Sequence, residues 1–171
     1  MTIRWIENVS RDDIRHGWHY DCGDNSMLIQ ISDPPGNHPT PKRTFKEVHQ
    51  FDFLDAEDTD HGDRFPEEAK ITDEQAAEIV RLLQHALDKS MNVVVHCHAG
   101  ICRSGAVVEV ASMMGFTPTD RYRQPNLRVK HKMMKVLGWT YDDNEKTTST
   151  GGWITAGGIV VPFGGNFGVD T

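Results

Sequence analysis

The chain has 171 residues, of which 37% are hydrophobic and 25% charged, so its composition is that of one globular domain and excludes disordered, collagen-like and coiled-coil proteins. No apolar run approaches the ~20 residues needed to cross a bilayer, and the first residues lack the apolar stretch of a signal peptide. We therefore expect a cytoplasmic protein that does not bind membranes.

The formal net charge of −7 disfavours general binding to nucleic acids. Residues 47–78 carry 12 acidic side chains against two basic ones, whereas residues 103–135 carry seven basic side chains against two acidic ones. An anionic ligand is therefore expected near the second of these segments. The three cysteines cannot form a fully paired disulfide framework, so chemical reactivity is the better reason to consider them.

In chain order, alternating and β-branched residues first predict short strands over residues 3–6, 27–31 and 48–53. A helix is predicted over residues 73–89, because its apolar residues form one stripe and Thr72 with Gln75 makes a capping box. The all-apolar run 93–95 then predicts a central strand that is covered on both faces.

A second helix is predicted to begin near Ser104 and to end at Gly115, and a third to span residues 127–137 with Asn126 as its N-cap. This order predicts an α/β fold with a central, mostly parallel sheet of four to five strands flanked by helices. We assign residues 1–146 to this domain. Residues 147–171 contain seven glycines and are treated as a C-terminal appendage.

The segment VVVHCHAGICRSG places Cys97 at the end of a strand and Arg103 at the start of a helix, with five residues between them. A short loop that enters a helix directs its backbone N–H groups inward, and the helix dipole adds positive potential, so the loop can bind a phosphate-sized dianion. The same field favours the thiolate of Cys97, which is a competent nucleophile. Arg103 can bind two phosphoryl oxygens, and Ser104 can offer a hydroxyl to the sulfur.

The HCxAGxxRSG form of this segment resembles the Cys-x5-Arg phosphatases, and most of all the dual-specificity branch of the protein tyrosine phosphatase superfamily. The similarity extends over about residues 26–137 and includes Gln124-Pro125-Asn126, which looks like the family's Ser-Pro-Asn element. The resemblance implies a phosphatase-like fold and a monomeric enzyme that needs no cofactor or metal. It also implies that the substrate is a phosphorylated protein or peptide.

The resemblance further implies a role for each site residue. Cys97 would form a cysteinyl-phosphate, and Ser104 would help the sulfur to leave. The phosphoryl group would be bound by the loop residues His98, Ala99, Gly100, Ile101, Cys102 and Arg103. His96 and Asn126 would support the loop.

The family's general acid is an aspartate on the loop before Thr72, and four aspartates crowd that loop: Asp55, Asp58, Asp60 and Asp63. We favour Asp55, because the run 50–55 is similar to the family's strand that ends in its catalytic aspartate. Asp58 is the alternative.

Other interpretations are weighed beside this one. Zinc ligation by His96, Cys97, His98 and Cys102 is disfavoured, because consecutive ligands cannot readily converge and Arg103 would repel the cation. Cys22 is interpreted as a buried structural thiol, although a redox disulfide of Cys97 with Cys22 or Cys102 stays open. Two further functions are a phospho-binding module that has lost turnover and an RNA 5′-phosphatase, and the acidic balance disfavours the RNA enzyme.

Overall fold

The structure, a computed structural model, describes residues 4–139. The predicted boundary at residue 146 and the Gly-rich segment 147–171 lie outside the described residues. The strands are β1 (Trp5–Val9), β2 (Ser26–Ser32), β3 (Glu47–Asp52), β4 (Asn92–His96) and β5 (Thr117–Pro118). The helices are α1 (Arg11–His16), α2 (Asp73–Asp88), α3 (Arg103–Met114) and α4 (Leu127–Val136), and Glu67–Ala69 forms a short 3-10 turn.

The five strands form one sheet in the order β3-β2-β4-β1-β5, and every pair of neighbours is parallel. The predicted α/β class is therefore confirmed. β4 lies at the centre of the sheet, where Val94 is opposite Glu7 of β1 and Leu28 of β2.

The central strand is apolar throughout because both faces of the sheet are covered. Val93 and Val95 belong to the larger buried cluster, to which α2, α3 and α4 contribute. Val94 points to the opposite face and joins a smaller cluster with Ile14 of α1. Because successive side chains of a strand alternate between faces, a strand covered on both sides needs apolar residues at every position.

The helix ends follow the predicted signals. Thr72 Oγ1 accepts a hydrogen bond from the Gln75 backbone N–H at 3.1 Å, and the Gln75 side chain accepts one from the Thr72 N–H at 3.0 Å. Asn126 Oδ1 accepts from the Val129 N–H at 3.0 Å and so caps α4. These side chains satisfy backbone donors that a helix cannot satisfy itself.

Three details differ from the prediction. Helix α1 was not predicted, because six residues are too few to display a helical period, although Ser10 and Asp13 form a capping box at its start. Strand β1 lies further along the chain than predicted and includes the buried polar residues Glu7 and Asn8, which have tertiary partners. The two-residue strand β5 has no sequence signal of its own.

All strands point the same way, so the loops that follow them meet at one edge of the sheet. The segments after β1, β2, β3 and β4 therefore converge there, which is where parallel α/β sheets usually bind ligands. Within residues 4–139, no helix has the length and apolar content of a membrane span.

Candidate active site

The loop of residues 97–102 joins the end of β4 to the start of α3 at this edge. Cys97 is 2% exposed and Ser104 is fully buried, and Cys97 Sγ lies 3.2 Å from Ser104 Oγ. Arg103, the first residue of α3, is 4% exposed. The five-residue spacing thus brings a thiol, a hydroxyl and a guanidinium to one short segment.

Four carbonyl oxygens of this loop are held by the surrounding scaffold, and each of the four accepts a hydrogen bond from a residue outside the loop. The pairs are Arg11 N–H to His98 O at 3.2 Å, Asn8 Nδ2 to Gly100 O at 2.7 Å, Gln124 N–H to Ile101 O at 3.1 Å and Asn126 N–H to Cys102 O at 3.0 Å. Because these carbonyls bind the scaffold, the peptide units of the loop are fixed in orientation.

The N–H groups of the same loop have no such partners. None of the backbone N–H groups of residues 98–103 donates a hydrogen bond to an acceptor within residues 4–139. Donors that converge at the start of a helix form a site for an anion, since the helix dipole acts in the same direction. The arrangement can therefore bind a phosphate group through the main chain.

Gly100 is required by the packing of the loop. Its φ is +77°, and a Cβ atom there would lie 2.4 Å from the Val9 carbonyl carbon and 2.6 Å from the Ser10 nitrogen. A side chain would have to displace the main chain that follows β1. The loop can approach this segment only because residue 100 has no side chain.

The guanidinium of Arg103 is fixed along one side. Its Nη1 donates to Asp33 Oδ1 at 2.7 Å and to the Phe53 carbonyl oxygen at 2.8 Å. Its Nε is buried and has no hydrogen-bond partner among the described residues. A buried donor without an acceptor is costly, so this edge of the guanidinium is suited to an anionic ligand.

Sequence analysis missed Asp33. The residue follows β2 directly and its side chain is 63% exposed, so it reaches Arg103 across the edge of the sheet. Its only sequence signal was an acidic residue at the carboxyl end of a predicted strand. That signal does not indicate a contact with Arg103 until the strand order is known, because the contact depends on β2 lying beside β4.

Asp55 is also close to the loop. Its Oδ1 accepts from Asn126 Nδ2 at 2.7 Å, while the Asn126 N–H binds the Cys102 carbonyl. Burial raises the pKa of the Cys102 thiol to about 11, and the nearby Asp55 carboxylate contributes to the increase. Asn126 therefore links the acidic loop to the loop of residues 97–102.

The other three aspartates of the acidic loop have different surroundings. Asp58 Oδ1 accepts from Arg128 Nη1 at 2.7 Å, on the side of α4. Asp60 Oδ2 accepts from the Glu57 N–H at 2.7 Å within its own turn, and Asp63 is exposed. None of these three forms a hydrogen bond or an ion pair with residues 97–104 in the described structure.

The acidic loop is braced against α4 and by a buried lysine. The Glu57 carboxylate accepts from the backbone N–H groups of Leu127 and Arg128, at 2.9 Å and 3.1 Å. The side chain of Lys70 is fully buried, and its Nζ donates to the Asp60 carbonyl at 2.6 Å. A carboxylate at a helix N-terminus and a satisfied buried ammonium both stabilise one loop conformation.

His96 lies beneath the loop and is fully buried. Burial lowers its pKa to about 4, and the positive charges of Arg11 and Arg103 act in the same direction. Its Nδ1 lies 3.3 Å from the Cys97 carbonyl oxygen. The ring is therefore neutral near pH 7 and contacts the main chain of the loop.

The remaining predicted residues vary in exposure. His98 and Ala99 are exposed, whereas Ile101 and Cys102 are half-buried.

Within residues 4–139, no group of three or more His, Cys, Asp or Glu side chains is arranged to hold a metal ion. Cys22 lies in the cluster on the α1 face of the sheet, and burial raises its pKa to about 12. Cys97 belongs to the cluster on the opposite face.

A family model matches residues 66–116 of the chain. This is the Tc-R-P family, described as a polymorphic toxin system, DSP-PTPase phosphatase. The matched segment contains α2, β4, the loop of residues 97–102 and α3. The resemblance to dual-specificity cysteine phosphatases is therefore confirmed, and the match supports a phosphatase, hence a hydrolase, function. A comparison with curated proteins gives no match.

Proposed function

We propose that the chain is a cysteine-dependent phosphoprotein phosphatase of the tyrosine or dual-specificity type. One observation carries this proposal. Four carbonyls of the loop are bound by the scaffold, while its N–H groups have no acceptor among the described residues, and the loop begins at the Cys97 thiol. A phosphoryl group is an anion that such a loop can bind and that a thiolate can attack.

In the first step, the Cys97 thiolate attacks phosphorus in line with the leaving oxygen. An S–P bond forms as the P–O bond to the tyrosine, serine or threonine side chain breaks. Asp55 gives its proton to the leaving oxygen. Asn126 supports this role, because its donation to Asp55 Oδ1 leaves Oδ2 to carry the proton.

In the second step, water attacks the cysteinyl-phosphate. Asp55 takes the proton from the water as the new P–O bond forms and the S–P bond breaks. Ser104, whose Oγ lies 3.2 Å from Cys97 Sγ, donates a hydrogen bond to the departing thiolate. Phosphate leaves, and the starting state is restored.

Negative charge on the phosphoryl oxygens is stabilised throughout by the loop. The N–H groups of His98, Ala99, Gly100, Ile101 and Cys102 act together with the Arg103 guanidinium, through its free Nε edge. Such fixed donors are among the largest contributions to catalysis, because they need no reorganisation during the reaction.

The test is hydrolysis of para-nitrophenyl phosphate with and without a chelator. We expect turnover that a chelator does not change, that vanadate inhibits and that Cys97→Ser abolishes. Loss of turnover on chelation, or full activity of Cys97→Ser, would contradict the proposed chemistry.

Two further measurements test the alternative functions, a phospho-binding module and an RNA 5′-phosphatase. Tight vanadate binding without turnover would indicate a phospho-binding module that has lost its activity. Preferential hydrolysis of RNA 5′-phosphates over a panel of phosphopeptides would indicate the RNA enzyme. We expect the phosphopeptides to be preferred, because the chain is acidic and would repel a polynucleotide.

A further inference from the structure

A cleft borders the loop of residues 97–102. It has a volume of about 400 Å³ and is lined on one side by Ala99, Gly100 and Ile101. The opposite wall comes from residues 8–10, Asp13 and residues 120–122. The cleft is large enough for one long side chain, and none of its lining residues has a part in the proposed reaction except those of the loop itself.

The buried end of this cleft contains an unsatisfied acceptor. Asn8 lines the cleft and is 1% exposed. Its Nδ2 donates to the carbonyls of Gly100 and Tyr122, at 2.7 Å and 3.0 Å. Its Oδ1 has no hydrogen-bond partner among the described residues. An occupant that donates an N–H group would satisfy this oxygen.

The basic residue of the cleft does not provide free positive charge. Arg121 Nε donates to Glu7 at 2.8 Å, Nη1 donates to Asp13 at 2.9 Å and Nη2 donates to the Trp18 carbonyl at 2.8 Å. All three nitrogens of the guanidinium are therefore used. An anion in the cleft would have to compete with two carboxylates that are already in place.

Negative charge remains at the mouth of the cleft. Asp120 is exposed and forms no ion pair with the described residues. Tyr122, which also lines the cleft, is 71% exposed, so its ring face is accessible to a ligand. A carboxylate next to an aromatic ring attracts a cation by charge and by cation–π contact.

We propose that this cleft binds a cationic side chain, arginine or lysine, next to the phosphorylated residue of the substrate. The proposal rests on the proposed function and names its substrate class: phosphopeptides with a basic flank. The loop binds the phosphoryl group, and Asp120, Tyr122 and Asn8 Oδ1 bind the neighbouring cation. An acidic cleft beside an anion site thus excludes acidic phosphopeptides while it retains basic ones.

The test uses two phosphotyrosine peptides that differ only in arginine or glutamate at the positions flanking the phosphorylated residue. We expect kcat/KM to be about tenfold higher for the arginine peptide, since an ion pair and a cation–π contact are each worth a few-fold. The double variant Asp120→Lys, Tyr122→Ala should bring this ratio close to one. Hydrolysis of para-nitrophenyl phosphate by each variant, a substrate without flanking residues, shows separately that its loop is intact.

Asp88→Lys is the matched control, because it makes the same charge change on an exposed residue at the end of α2, which leads into the start of β4 and so lies towards the sheet edge opposite the cleft. It should keep the wild-type ratio at physiological salt, where distant charges are screened. An unchanged ratio in the double variant, or a preference for the glutamate peptide, would overturn the inference. If the wild type does not hydrolyse para-nitrophenyl phosphate at all, the proposed function fails instead.

Discussion

Arg103 is held from one side only. Nη1 has two acceptors, Asp33 Oδ1 and the Phe53 carbonyl, while Nε has none among the described residues. A guanidinium on a flexible side chain loses entropy when it binds, and fixing one edge in advance reduces that loss. Asp33 is thus proposed as a positioning residue that acts on phosphate only through Arg103.

We expect Asp33→Ala to raise KM for para-nitrophenyl phosphate about fivefold and to weaken vanadate inhibition to a similar degree, because partly exposed ion pairs are worth about 1 kcal/mol or less. Asp33→Asn should lie between the wild type and Asp33→Ala, since its amide oxygen still accepts from Nη1. Asp73→Asn is the control: it breaks an exposed ion pair with Lys132, and neither residue forms a hydrogen bond or ion pair with residues 97–104. A fall in kcat with an unchanged KM would contradict a positioning role.

Asp55 and Asp58 offer a direct comparison of two candidate acids three residues apart. Asp55 contacts Asn126, which binds the loop, whereas Asp58 pairs with Arg128. We expect Asp55→Asn to lower the rate of hydrolysis by about 10²-fold for substrates with a poor leaving group, such as phenyl phosphate. Hydrolysis of substrates with a good leaving group should fall far less. Asp58→Asn should have no such dependence on the leaving group. The reverse ranking in a leaving-group series would assign the acid to Asp58.

At the scale of elements, the loop of residues 97–102 depends on the segment after β1. Arg11 and Asn8 bind its carbonyls, and Val9 leaves no room for a side chain at residue 100. The acidic loop depends in the same way on α4, through the cap that Glu57 provides. Two loops of the site are therefore shaped by elements that contribute no reacting group.

Gly100→Ala and Gly23→Ala separate backbone strain from a steric clash. Both glycines have a positive φ, of +77° and +75°, so both substitutions should lower the free energy of unfolding by about 1 kcal/mol through strain. A Cβ at Gly23 meets nothing within 4 Å, whereas one at Gly100 meets the Val9 main chain at 2.4 Å. We expect kcat/KM to fall by about 10²-fold only in Gly100→Ala, because the loop must move. Equal activities of the two variants would show that the close approach has no influence on the loop.

At the scale of the whole molecule, the parallel sheet collects its loops at one edge and buries His96 beneath them. The pKa of His96 is lowered to about 4 in the folded protein, against about 6.5 for an unperturbed histidine. As the pH falls from about 6.5 towards 4, the unfolded chain takes up a proton that the folded protein does not. Folding is therefore penalised progressively across this window, and the penalty is absent above it.

We expect His96→Asn to remove a slope of about 1.4 kcal/mol per pH unit from the free energy of unfolding between about pH 6 and pH 4.5. Urea denaturation of the wild type and of His96→Asn at several pH values measures this slope. The difference between the two curves isolates His96 from the carboxylates, which titrate in both proteins. Parallel curves would mean that His96 takes up its proton at the same pH in the folded protein as in the unfolded chain.

The sequence alone determined the local parts of this protein. The α/β class, the capped helix α2, the apolar strand β4 and the order of Cys97, Arg103 and Ser104 depend on neighbouring residues, whose spacing fixes the strand, the loop and the helix. The same reasoning ranked Asp55 before Asp58 by resemblance, but spacing along the chain cannot decide which carboxylate reaches the loop.

Only the tertiary structure decided which distant residues meet. Asp33 and Arg103 are 70 residues apart, as are Asn126 and Ala56, and Asn8 binds Gly100 across 92 residues. These contacts exist because β4 inserts between β1 and β2, which brings the ends of three strands together. Strand order is set by how all the apolar faces are buried at once, and no short segment of the sequence contains that information.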